Sequence, residues 1–548
     1  MNNLSSAVTM DPRSWCEVFG LFHKKRIQTR LADGVDMATD AASTAYMPIV
    51  ERLSQAIESL SGRKLVDFYR ELNELEQEVK AALDATKGQA DDLLKNERNL
   101  LYNPNKAVFS QLAQLLDSLQ QEEEEVDEDA EFDVDEVEEA LTTTLGNTQK
   151  AVNAYLACVR TLGRYKYNKK SLPKNSRAAK IRDWLGDRVP ADDVLHQIGR
   201  SIVFQNGLRR FVNASKRYVF DVPSSYRLFR KAHLDDPRYY QEAPTNAFQL
   251  SATELDAIIL MMLRNARELL SQTFVARNLE SPRFESLRNL SRLFRNQIMV
   301  DEATDFSPLQ LACMEGLTAI KTRSFFACGD FNQRITSIGL RAMDQVDWVS
   351  EKISAEHIST VYRQSRALNA FAGNMLEMMD GDRSAHGNVP EESTHDGVQP
   401  VLREHAGEIG QAAAWLAQRI IEVERAVNQM PTIAVLVNSE NEVKPVAEAL
   451  TLHLESINLR AEPCEEGKAL GEGTDVRVFD IQHIKGLEFE AVFFVGVDQL
   501  AENIPELFER YLYVGATRAA TYLGMVCYDA LPAKMQSLRA EFIENWQG

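Results

Sequence analysis

Residues 297–311 read QIMVDEATDFSPLQL. A short apolar run, Ile298 to Val300, stops abruptly at two acids, Asp301 and Glu302. An apolar run of this length that ends in charge reads as a buried strand emerging at the edge of a sheet. Adjacent acids there suit nucleotide chemistry. The first can anchor Mg²⁺, and the second can orient or deprotonate an attacking water. A strand end with two solvated acids fits the same four letters, so the surrounding sequence has to decide.

Downstream, the texture repeats. RSFFACGD, TIAVLVNS, VRVFDI, EAVFFVGV and YLGMVCY are short apolar runs, and helical stretches such as GQAAAWLAQRIIEVERAV and ENEVKPVAEALTLHLESI separate them. Strand–helix alternation predicts a parallel sheet with helices on both faces. Upstream of residue 290 the pattern is different. MPIVERLSQAIESLSGRKLVDFYRELNELEQEVKAAL and ATELDAIILMMLRNARELLSQTF carry apolar residues at three- and four-residue spacing, which predicts long helices, the second of them buried. The stretch 380–400, DGDRSAHGNVPEESTHDGVQP, reads as a loop.

The chain has 548 residues, 44% apolar and 26% charged, in the range of globular proteins and long enough for several units. It holds no run of 18 apolar residues and no basic start followed by an apolar core, so neither a membrane span nor a signal peptide is expected. Six scattered cysteines with no CxxC pair suit a reducing, cytoplasmic setting and argue against a zinc or iron–sulfur site. Net charge is −20, yet residues 122–139 alone hold 13 acids and no base, so the remainder is near −7. Such a block reads as a solvated spacer, with mimicry of nucleic acid as the sharper alternative. Residues 160–182 are the opposite: nine bases and no acid, with Arg164, Tyr165, Lys166, Tyr167, Lys169 and Lys170 interleaving charge and aromatics. Bases that bind phosphates and rings that stack on nucleobases give a candidate nucleic-acid surface. A solvated basic face gives the same composition. Residues 209–231 have a similar texture.

Several motifs follow the acids in order: GDFNQRI with Asp330 and Gln333, YRQS with Arg363, QHIKGLEFEAVF with Gly486 and Glu488, and YLYVGATRA with Arg518. A polar Gln at a strand end can report a γ-phosphate, and arginine's planar, permanently charged fork matches phosphate oxygens. With VDEATDFSPLQ, this ordered set resembles motifs II to VI of the UvrD/Rep-like superfamily 1 DNA helicases and covers roughly residues 290–548. The resemblance implies a RecA-like α/β helicase core with ATP and Mg²⁺ as cofactors. It gives Asp301 the Mg²⁺, Glu302 the attacking water, Arg363 and Arg518 the γ-phosphate, and Asp330 and Gln333 the coupling of nucleotide to DNA. Gly486 and Glu488 lie in the motif that links pocket and DNA track. It also places DNA, single-stranded or at a junction, among the partners, with no membrane.

The chain departs from that family in three places. No GxxxxGK[ST] occurs anywhere; the nearest strings, SGRKLVD, ATKGQAD and EEGKALGEG, lack the spacing and the hydroxyl residue. Ile335, Thr336 and Ile338 stand where the family carries a base-stacking aromatic. Asp480, Ile481 and Gln482 replace the Thr-x-His before Lys-Gly-Leu-Glu, with His483 one place late.

The expected organisation is therefore a helical region over 1–120, an acidic linker over 121–140 and a helical accessory region over 141–290. The remainder of a first RecA-like domain, with two strands only, follows over 291–345, and a complete second one over 346–548. A helicase or translocase whose phosphate loop comes from a separate polypeptide accounts for this pattern, as does an ATPase-deficient, helicase-derived DNA-binding or scaffold subunit. No nuclease motif follows the second domain.

Overall fold

A computed structural model describes residues 11–60, 63–96, 106–119, 147–240, 249–334, 339–350, 353–381, 383, 386–427, 429–468 and 475–546. The acidic stretch 121–140 and the triad Ile335, Thr336 and Ile338 lie outside the described residues. The chain is mixed α/β and divides into two compact units, one of residues 1–296 with 316–323, the other of 297–315 with 324–548. No helix among the described residues is long and apolar enough to cross a membrane.

The first unit is helical. Its long helices, Pro12–Ala41, Leu65–Asn96, Asn147–Tyr167 and Asp192–Arg209, bury apolar stripes against one another. Gly163 and Gly199 let two of these helices touch backbone to backbone. A Cβ on Gly199 would lie 2.0 Å from the Gly163 carbonyl oxygen, so no side chain fits there. The predicted helix Ala252–Leu270 starts on a full capping box, Ser251 with Glu254. It buries Ile258, Leu260, Met261 and Leu263 but leaves Leu255 and Ile259 exposed. A buried ion pair, Arg230 Nε to Glu254 Oε1 at 3.2 Å, holds its first turn.

The second unit contains two parallel sheets. β1 (Gln297–Val300) pairs with β2 (Ser324–Ala327), with Met299 opposite Phe326. Both side chains are exposed, at 69% and 52%. The larger sheet has β3 (Val401–Arg403), β4 (Ile433–Val437), β5 (Ala461–Pro463), β6 (Val476–Asp480), β7 (Phe489–Val495) and β8 (Ala519–Val526). Its order is β3-β8-β7-β4-β6-β5, all parallel. β4 is buried along its whole length, as a parallel strand covered on both faces must be. Helices Ile409–Ala426 and Glu440–Leu454 cover one face, and Arg366–Met378 and Phe508–Ala516 the other. The six apolar runs are all strands. β3 and β5, three residues each, went unpredicted because they are too short to carry a period.

Candidate nucleotide-hydrolysis site

The site is built where loops leave β1 and β2 and enter β7 and β8. Asp301 and Glu302 follow β1 directly. Glu302 sits in the left-handed region, φ 52 and ψ 42, which is uncommon for a residue with a Cβ. The turn is fixed by its neighbours. The Cys328 N–H donates to the Val300 carbonyl at 2.9 Å, and the Ala303 N–H donates to the Cys328 carbonyl at 2.8 Å. Asp301 Oδ1 accepts the Glu302 N–H at 2.9 Å and the Cys328 thiol at 3.2 Å. Burial, with Asp301 as acceptor, pushes the Cys328 thiol up from its ordinary value. Asp330 caps the next turn: its carboxylate accepts the Asn332 N–H at 2.8 Å, its carbonyl accepts the Thr304 hydroxyl at 3.1 Å, and Gln333 closes the turn.

Two cations from the loops that enter the larger sheet, Arg518 and Lys485, meet these acids, and Glu488, close to Lys485 in sequence, pairs with Arg363. Arg518, immediately before β8, donates to Gln333 Oε1 and stands 3.9 Å from Glu302 Oε1. It is 5% exposed, and burial is the main cause lowering its pKa, against the opposing pull of Glu302. Its Nε is buried without a hydrogen-bond acceptor. Lys485 Nζ lies 2.7 Å from Asp305 Oδ2 and 3.3 Å from Glu302 Oε2, with its side chain 11% exposed. Arg363 pairs with Glu488 at 2.5 Å in a half-exposed position. The segment carrying Arg363 is pinned to the start of β8: Gln364 Nε2 and the Ser365 N–H donate to the carbonyls of Ala519 and Ala520. Gly486, between Lys485 and Glu488, has φ 83, a conformation that favours glycine.

Asp301, Glu302, Asp330, Gln333, Arg363, Gly486, Glu488 and Arg518 thus all fall in one unit. Glu302, Gln333 and Arg518 touch, while Arg363 and Glu488 form a neighbouring pair. Sequence reasoning missed Lys485 and Asp305. Lys485 opens the KGLE string and Asp305 ends ATD, but nothing local says that the lysine returns to the acids 180 residues earlier.

The other candidate surface lies in the first unit, at the end of helix Asn147–Tyr167. Lys166, Lys169 and Lys170 are exposed there, and Arg164 lies over the Tyr165 ring at 5.5 Å. Lys166 is engaged by Asp192 at 2.6 Å. The Tyr167 hydroxyl donates to the Asp40 carbonyl at 3.0 Å and its ring packs on His196, so it is committed internally. Four of the five aromatics of 209–231 are core residues: Phe211, Tyr218, Tyr226 and Phe229 are at most 1% exposed, and Phe220 is partly buried against the same core. The amphipathic helices there put most of their rings inward, so that stretch offers mainly charge.

No curated protein matches the chain. Among solved structures, the C-terminal domain of a possible DNA helicase from Lactobacillus plantarum WCFS1 matches at 21% identity, covering 33% of this chain and 96% of that one. Its TM-score is 0.24, too low to carry an argument about the site. Residues 475–526 match the UvrD-like helicase C-terminal domain. That match runs from β6 through β8 and takes in Lys485, Gly486, Glu488 and Arg518. Residues 475–526 are thus similar to a UvrD-like helicase C-terminal domain, in keeping with the resemblance of the ordered motifs.

Proposed function

We propose that the second unit is the catalytic part of an ATP-dependent, DNA-directed translocase of the UvrD type, with a RecA-like core whose first sheet is incomplete. The phosphate loop comes from outside these 548 residues, on a partner polypeptide or segment. The observation that carries the reading is the contact of the buried Arg518 with Gln333 and with Glu302, the residue after Asp301. A buried guanidinium beside a carboxylate that can act as general base is suited to a γ-phosphate. Asp301, exposed at the strand end, would hold Mg²⁺, which when bound neutralises phosphate charge. Glu302, held by Lys485 and its strained turn, would position water. Arg363 would shift from Glu488 to the phosphate, and Arg518 would stabilise the developing charge. Met299 and Phe326, side by side on an exposed sheet face, support a missing neighbour, because parallel sheets are covered on both faces.

The test is phosphate release at saturating ATP with single-stranded DNA. The chain alone is expected to turn over below about 1 s⁻¹, under the ordinary enzyme range. Adding a strand–GxxxxGK[ST]–helix polypeptide raises turnover, and Arg518→Ala abolishes the gain. Turnover by the chain alone that vanishes in Glu302→Gln would overturn the need for an external loop. A second reading, an ATPase-deficient DNA-binding or scaffold subunit, is favoured by the absence of any GK[ST] in the sequence. It prevails if no supplied loop restores either ATP binding or hydrolysis.

A further inference from the structure

A second cluster of ligating groups lies away from the acids of β1. β4 and β6 are neighbours, with Val437 opposite Asp480. The chain leaves β4 through Ser439 into helix Glu440–Leu454, and leaves β6 into the turn Ile481–His483. Glu440, Asp480 and His483 therefore converge outside the carboxyl ends of adjacent parallel strands, where open α/β sheets bind ligands. Their donor atoms all lie within 4.8 Å of one another.

The local chemistry leaves this cluster short of a cation. Asp480 is 4% exposed and accepts backbone donors, among them the Gln482 N–H at 2.9 Å. Glu440 uses Oε1 to accept the Glu466 N–H at 2.7 Å. Its Oε2 is buried with no hydrogen-bond donor and faces His483 Nε2 at 3.8 Å. Two carboxylates with ligand atoms this close repel each other and favour a cation between them. Lys468, just past the adjoining turn, is spent on Glu466 at 2.6 Å. The imidazole is held in place by that turn. Gly467 has φ 71, and a Cβ there would stand 2.9 Å from the His483 Cβ.

We propose that Glu440, Asp480 and His483 bind a divalent transition-metal ion of the Zn²⁺ type. One imidazole nitrogen and two carboxylate oxygens suit Zn²⁺ or its near neighbours, whereas Mg²⁺ prefers oxygen ligands alone. Three protein ligands leave a position for water. The ion would also fix the turn that leads, two residues later, to Lys485, and so steady the loop that reaches Glu302 and Asp305. This site stands on its own residues and is independent of whether the chain hydrolyses ATP.

The experiment is calorimetric titration of chelator-treated full-length protein with Zn²⁺, with Co²⁺ absorption as a second readout. Wild type is expected to take up one equivalent that competing millimolar Mg²⁺ does not displace. His483→Gln and Glu440→Gln, at half-exposed positions that leave the melt of the metal-free protein unchanged, are expected to weaken this equivalent at least about 10-fold. The Co²⁺ spectrum should lose its nitrogen-ligand signature in His483→Gln. Stoichiometric uptake that survives both variants, displacement by Mg²⁺, or no stoichiometric uptake at all would each overturn the assignment.

Discussion

Lys485→Met removes a cation from between two acids. In the structure Lys485 Nζ is 2.7 Å from Asp305 and 3.3 Å from Glu302, and the three side chains are 11%, 22% and 29% exposed. A fully exposed pair would be worth about 0–1 kcal/mol, and breaking a fully buried one costs about 3–5 kcal/mol. This site lies between those limits, so we expect destabilisation of about 1–3 kcal/mol. For a unit of this size about 1 kcal/mol shifts the melting temperature by roughly 2–4 °C, so the melt should fall by roughly 2–12 °C. The partner half of a double-mutant cycle is Glu302→Gln with Asp305→Asn. If Lys485 acts by neutralising those carboxylates, the triple variant should recover most of the stability, leaving a coupling energy near the single-variant cost. The assay is thermal and urea unfolding of the four proteins at fixed salt, repeated at higher ionic strength to remove exposed-charge effects. A neutral Lys485→Met, or a destabilisation that the carboxylate changes do not rescue, would refute the charge-bridge account. Methionine keeps the apolar stem, so poorer packing cannot mimic the result.

Neutralising Lys166, Lys169 and Lys170 together should weaken single-strand binding and flatten its salt dependence, by up to about 0.7 for each phosphate no longer neutralised. Lys166→Ala alone should do least, because Asp192 already holds that ammonium; filter binding across a salt series checks both. His23 is buried, hydrogen-bonded to Ser225 Oγ at 2.7 Å and the Tyr218 carbonyl at 3.0 Å, and burial lowers its pKa below the ordinary 6.5. Its unfolded form binds more protons as pH falls below about 6.5, so the stability that it permits is present above that value and lost toward the lower folded pKa. Melts of His23→Gln should therefore show a flatter pH dependence as pH falls below about 6.5; an unchanged slope argues against it. Arg518→Ala should abolish binding of a nucleotide's terminal phosphate without lowering stability by more than about 3 kcal/mol, because the Ala variant removes a buried charge together with its neutral partnership to Gln333.

How much of this was legible depended on the range over which each signal acts. β1, β2, β4, β6, β7 and β8 announce themselves as short, mainly apolar runs bounded by charge or turn residues. β3 and β5 have only three residues each and are strands because neighbours lend them ladder partners, which no local pattern records. The acids, the glutamine and the two arginines could be picked out because they lie in ordered motifs that resemble those of a known family. Lys485 could not, since a lysine before Gly-Leu-Glu carries no period and its partners are distant in sequence. The basic texture of 209–231 misled for a related reason. Charge and aromaticity were both present, but the helical phase sends Tyr218, Tyr226 and Phe229 into the core.

Why two acids stand side by side at the end of β1 can now be put in terms of what holds each of them. Asp301 is exposed and bonded to its own turn, so its position is set by the strand. Glu302 is turned the other way by its left-handed backbone and is half-buried, toward Lys485 and Arg518. Adjacent carboxylates with different environments can divide two duties, one toward a metal and one toward water, which equivalent solvated acids could not. The cations that create the difference come from the loops before β7 and β8, within the matched UvrD-like segment. The strand supplies the acids, and the larger sheet makes them unequal. A variant that restores symmetry, such as Lys485→Met with Arg518→Gln, should leave the fold of the larger sheet intact while removing any distinction between Asp301→Asn and Glu302→Gln in nucleotide binding.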